Sequence, residues 1–158
     1  MTTEILDTSA AEGLALQFVK TIIGFPRSRS YELRAIGPQY EPYGQLISLD
    51  EPNLSFVVVP PGAIFADYVI EIPDVDCELL GLADGRDAAV LAIVRRKNVP
   101  VPVVNLMAPI IVNRRLGLAG QVILEDLGYG LMVPVDASSA RPCRDGAPGD
   151  LVLVPPPG

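Results

Sequence analysis

Residues 103–126 read VVNLMAPIIVNRRLGLAGQVILED, and how this stretch divides decides the fold. Two apolar runs, PIIV at 109–112 and QVIL at 121–124, have the length and branching of β-strands. Between them, Asn113 to Gly120 supplies Asn and Gly residues that tolerate positive φ, so the stretch reads as two strands joined by a longer hairpin connection. Arg114 and Arg115 fall on its tip. Pro109 cannot donate a ladder hydrogen bond and marks a strand start, an edge or a bulge, while Asn105 is placed to satisfy backbone groups in the preceding bend. Asn105, Pro109, Asn113 and Gly120 are therefore read as scaffold, without chemistry.

Outward from this hairpin the same pattern repeats. LALQFV at 14–19, YELRAI at 31–36, GQLISL at 44–49, SFVVV at 55–59 and AAVLAIVRR at 88–96 are short apolar runs separated by Gly, Pro, Asn and Asp. The first two alternate imperfectly with the period of a half-buried strand, and SFVVV is continuous, as in a strand covered on both faces. With 16 prolines and 14 glycines among 158 residues, long helices are not expected. The pattern predicts a mostly β, single-domain fold of short antiparallel strands, barrel-like or a sandwich. One segment differs: DVDCELLGL at 74–82 places Val75, Leu79 and Leu82 at helical spacing, with Asp74 or Asp76 available to cap its first amides. The domain is expected to run over 1–134. The proline-rich stretch 135–158 is expected to be a flexible tail, in which LVLV at 151–154 is the weakest strand candidate.

The chain contains no histidine, which removes Ser-His-Asp and Cys-His catalysis in their usual forms and every His-containing metal site. Two separated cysteines, Cys77 and Cys143, fit a reducing compartment and cannot complete a structural zinc site. The acidic start MTTEILDTSAAEG lacks the basic end of a secretory signal, and no uninterrupted apolar window of about 18 residues occurs, so a cytoplasmic location is expected. Charge is uneven: residues 1–80 carry 12 acids and 4 basic residues, net −8, whereas 81–158 carry 7 and 8, net +1. Such a chain is repelled by nucleic-acid phosphates and anionic membranes and attracts a basic protein partner.

The sharper motifs fail on spacing. A calcium loop starting at Asp74 needs glycine at its sixth position and an acid at its twelfth, where Leu79 and Gly85 stand. ADGRD at 83–87 lacks the Lys and Ser/Thr of a phosphate loop. Arg95, Arg96 and Lys97 end an apolar run, where cations keep an edge soluble. No metal or cofactor is expected. A small-molecule-binding β-barrel and a carboxylate-based hydrolase remain open, the first requiring a lined cavity and the second a cleft with a perturbed carboxylate pair.

The order of the motifs nevertheless resembles one family. IIGF at 22–25, LISLDEPNLSFVVVPP at 46–61, FADYVIEIPD at 65–74, NLMAPIIVN at 105–113 and GQVIL at 120–124 look like the flagellar assembly factor FliW, over roughly residues 14–134. Thr21 and Ile23 depart from the Gly and Pro usual before Gly24 and Phe25, and Ile47 replaces a usual Gln. The resemblance implies a noncatalytic protein that binds flagellin and the small basic translational regulator CsrA. When flagellin is exported, the freed factor inhibits CsrA, so flagellin synthesis follows demand. The candidate partner-binding residues are Phe25, Phe65 and Tyr68 for an apolar contact and Asp67, Asp74, Asp76 and Glu78 for an acidic one.

Overall fold

The structure of the protein is a computed structural model that describes residues 13–137, 139 and 140. Its strands are β1 (Leu14–Lys20), β2 (Ser30–Ala35), β3 (Gly44–Ser48), β4 (Ser55–Val59), β5 (Ala88–Arg95), β6 (Val103–Val104), β7 (Ile110–Asn113), β8 (Leu118–Gln121) and β9 (Val133–Pro134). Among the described residues one α-helix, α1 (Asp74–Leu80), accompanies them. The strands lie in the order β4-β3-β2-β1-β8-β7-β5-β6-β9, and β4 pairs again with β5. Seven strands thus close into a barrel, with β6 and β9 continuing from β5 as a short flap.

The expectation of antiparallel strands holds except at one seam, where β1 and β8 run parallel, from Gln17 opposite Leu118 to Lys20 opposite Gly120. Direction must alternate around a ring of antiparallel neighbours. Seven strands cannot alternate all the way round, so one pair has to be parallel, and it falls where the N-terminal meander meets the C-terminal hairpin.

Two cores result. Leu16, Phe18, Tyr31, Leu46, Leu91 and Ile110 fill the barrel interior. A second cluster, including Val59, Phe65, Ile72, Leu80, Val90 and Val104, lies on the outer face of the sheet. Strand β5 serves both, turning Ala89 and Leu91 inward and Ala88, Val90, Ala92 and Val94 outward. A strand buried on both faces loses its polar alternation, which is why AAVLAIV reads as one apolar run.

The opening hairpin is shorter than expected. Asn113 pairs with Leu118 and Ile110 with Gln121, so the second strand is LAGQ rather than QVIL, and the turn is 114–117 with Gly117 at φ 72°. Small residues such as Ala119 and Gly120 are weak strand formers by propensity, but close packing demands them here. A Cβ on Gly120 would stand 3.1 Å from that of Lys20. Beyond β8, the Val122 and Leu124 amides still donate to the carbonyls of Pro109 (2.9 Å) and Met107 (2.7 Å).

Helix α1 forms where expected and ends at Gly81, whose φ of 69° lets Leu82 N–H reach back to Cys77 O at 2.8 Å. Its orientation corrects the sequence reading twice. Val75 (61% exposed) and Leu79 (48%) face outward, while Leu80 and Asp76 face in. No side chain caps the helix, and Pro73 occupies the N-cap position. After Pro134, Val135 and Ala137 pack on the outer core and Ala140 is fully buried. Residues 141–158, with Cys143 and LVLV, lie outside the described residues.

Candidate partner-binding surface

The structure disperses the aromatic candidates. Phe65 belongs to the outer core at 2% exposure and offers no surface. Phe25 is half-buried, edge-on to Phe56 at 5.3 Å. Tyr68 packs on Tyr129 at 4.5 Å and donates its hydroxyl to Leu106 O at 2.9 Å. Burial holds that hydroxyl well above the usual tyrosine range, with Tyr129 adding to the effect, so it remains a donor. Tyr129 in turn receives Val69 N–H at 3.0 Å and donates to Val69 O at 2.9 Å. The two tyrosines staple the irregular segment 65–73 to the barrel. Asp67 is exposed but engaged, accepting from Ser139 Oγ at 2.6 Å and Ala140 N at 3.0 Å.

The acidic candidates divide as well. Asp76 is not a solvated acid: its side chain is 5% exposed and receives Lys20 Nζ at 2.7 Å. Its partner lies 56 residues away in sequence, so no local pattern could pair them. Asp74 and Glu78 are exposed on α1, as are Val75 and Leu79.

Around the helix the structure assembles residues that the sequence reading did not select. Ile123 (46% exposed) lines two adjoining hollows. One is shared with Ile23, Lys20 and Asp76, the other with Glu71, Asp74 and Glu125. Ile23, one of the departures from the family pattern, is 64% exposed. Its loop is pinned by Gln121, a buried side chain that accepts Ile23 N–H at 2.7 Å and donates to Ala108 O at 3.1 Å. Ile123 is exposed between buried Val122 and Leu124, an alternation that three consecutive apolar residues conceal in the sequence. The same holds for Ile23, which follows buried Ile22.

The hairpin scaffold holds this surface in place. Asn113, fully buried, donates through Nδ2 to Leu80 O at 2.8 Å and Gly81 O at 3.2 Å, anchoring the end of α1. Its Oδ1 accepts from Arg115 N at 3.0 Å and Leu116 N at 3.2 Å, closing the turn. Asn105 Oδ1 likewise accepts from Met107 N (3.1 Å) and Ala108 N (3.0 Å).

Chemically, the surface offers exposed Ile123 between a hollow with Glu71, Asp74 and Glu125 and one with Ile23, Lys20, Arg29 and Asp76, which suits docking. Among the described residues, no three His, Cys, Asp or Glu side chains gather to hold a metal ion. Among the described residues, Asp50 is held below its ordinary carboxyl range by the amides of Arg29 and Ser30, and Asp84 by the Arg86 side chain and amide. Both occupy exposed bends rather than a cleft. The barrel interior is filled by side chains, with Phe18, Tyr31, Leu46 and Leu91 fully buried.

The comparisons with known proteins agree with this architecture. The model of the FliW protein family matches residues 1–135. The flagellar assembly factor FliW of Bacillus licheniformis is 32% identical over 130 residues, covering 82% of this chain and 90% of that protein. That of Geobacter sulfurreducens is 30% identical over 158 residues, covering 97% and 98%. A crystal structure of the flagellar assembly factor FliW superposes with a TM-score of 0.70 at 26% identity, covering 83% of this chain and 88% of that one. This chain belongs to the FliW family.

Proposed function

We propose that the protein binds cytoplasmic flagellin and a small basic translational regulator of the CsrA type by direct protein-protein contact, and so couples flagellin synthesis to export. It catalyses no reaction and needs no cofactor in this role. Family membership supports the assembly function, and one observation carries the binding reading: exposed Ile123 lines a hollow with Glu71, Asp74 and Glu125, and the helix that begins at Asp74 exposes Val75, Leu79 and Glu78. An aliphatic centre with an acidic rim fits a partner that combines apolar and basic groups. No helix among the described residues is long and apolar enough to cross a membrane. A cytoplasmic location follows from the proposed partners, and the chain's net charge of −7 disfavours direct RNA binding.

The test is binding of purified CsrA and purified flagellin to the chain and to its Val75→Asp and Ile123→Asp variants. Each substitution puts a charge where an aliphatic side chain would be covered. Losing about 1.5–3 kcal/mol of burial predicts at least a tenfold weaker complex with one of the two partners. Unchanged melting temperatures establish that the fold is intact. If the unsubstituted chain binds neither protein, the reading fails.

A further inference from the structure

On the barrel wall away from α1, the outer core continues past its cover. The flap of β6 and β9 extends the sheet from the end of β5, with Val94 opposite Val104 and Arg95 opposite Val103, and Pro102 adjoins it. Beyond Pro102 the outward face of β5 runs on over β4 and β3 as an open groove of about 510 Å³. Val57 and Val94 form its apolar floor with half-buried Tyr43, while exposed Tyr40 and Arg96 stand at its rim. It shares no lining residue with the hollows around Ile123.

We infer that this groove is the docking site for the chain's own proline-rich stretch, residues 150–157, DLVLVPPP. Three observations favour that occupant. Tyrosine-lined apolar grooves accept proline-rich segments because the extended polyproline conformation is preformed and loses little entropy on binding. Tyr40, Tyr43 and Pro102 supply such a lining, and the floor of Val57 and Val94 matches the aliphatic LVLV. Charge is complementary within the docked segment: Arg96 belongs to the chain's longest run of cations, Arg95 to Lys97, and the only charged side chain of 150–157 is Asp150. Reach is sufficient. Val135 N–H donates to Pro102 O at 2.9 Å, so the chain already passes the rim of the groove before it reaches Ala140. The residues from 141 to 149 span up to about 30 Å when extended, the diameter of a small domain.

The test uses the full-length chain with a nitroxide on Gly158→Cys in a Cys77→Ala, Cys143→Ala background, read by amide NMR. Docking in cis predicts paramagnetic broadening concentrated on Gln45, Val57 and Arg96, and its loss when Tyr40→Ala and Arg96→Glu are added. Those two side chains are exposed, so the barrel survives their replacement. Broadening spread evenly over the surface, or centred elsewhere, overturns the inference. A mixture of isotope-labelled chain without nitroxide and spin-labelled chain without isotope separates the source: broadening of the groove in that sample assigns it to a second copy and equally overturns docking in cis. The sample contains neither flagellin nor CsrA, so failure here leaves the partner reading untouched.

Discussion

Asp76 and Lys20 show how one pair can matter unequally to its two members. Asp76 is 5% exposed and Lys20 39%, so only the acid depends on its partner for solvation. Lys20→Met strands a buried carboxylate and is expected to cost about 2–4 kcal/mol, whereas Asp76→Asn keeps an acceptor for a lysine that already reaches water and costs about 1 kcal/mol. Urea denaturation of both variants measures the asymmetry, and an equal or reversed order contradicts the burial argument. Asp50 makes the contrasting case of an exposed acid with a pH signature. Its carboxylate accepts from Arg29 N (2.7 Å) and Ser30 N (2.8 Å), which hold its pKa below the ordinary value. A depressed folded-state pKa contributes stability above the unfolded value of about 4, and that stability is lost as pH falls through the lower folded value. The melting-temperature gap between the unsubstituted chain and Asp50→Asn should therefore be widest near neutrality and close below about pH 4. A gap independent of pH would show that the two amide bonds do not favour the charged form.

At the level of elements, the strands were legible where one short apolar run corresponds to one strand: SFVVV became β4 with the same bounds, and GQLIS became β3. The β7–β8 hairpin was legible in kind but not in register, since LAGQ looks like a turn until β1 and α1 are packed against it. Helix α1 was legible in position but not in facing. Val75 and Leu79 have the spacing of a buried stripe, yet Leu80 and Cys77 turn inward because the strands beneath the helix, not its own periodicity, select the buried side. The turn at 114–117 carries its own prediction. Gly117 at φ 72° occupies the left-handed region, and a Cβ there would lie 3.2 Å from Ala15 O. Gly117→Ala should destabilise the protein by about 1–2 kcal/mol through backbone strain and crowding at the parallel seam. Chemical denaturation checks it, and no loss would mean that the turn can reshape without disturbing β1.

Across the whole molecule, the barrel was visible in the number and length of apolar runs, but its closure was not. The β1–β8 pairing joins distant residues and follows from the parity of the ring, a property of no single segment. The outer core was equally hidden, because apart from α1 and β9 its cover is drawn from irregular chain within residues 60–82, 105–109 and 122–137, which has no period to read. The charge split, by contrast, was plain in composition and acquires a location in the fold, since Glu71, Asp74 and Glu78 are exposed along and just before α1 while Asp76 is withdrawn into its ion pair. If these three acids steer a basic CsrA-type partner, they act over the Debye length of about 8–10 Å before contact is made. Neutralising them together, as Glu71→Gln, Asp74→Asn and Glu78→Gln, should then slow association several-fold at low salt and flatten its salt dependence, with little change in dissociation. Truncation of the aliphatic centre by Val75→Ala or Ile123→Ala should act in the opposite way, raising the dissociation rate and leaving association nearly unchanged. Association and dissociation rates measured at low and physiological ionic strength separate the two. An association rate that the triple variant does not alter at either ionic strength would remove these acids from the encounter, and would leave the aliphatic centre as the whole basis for recognition on this face.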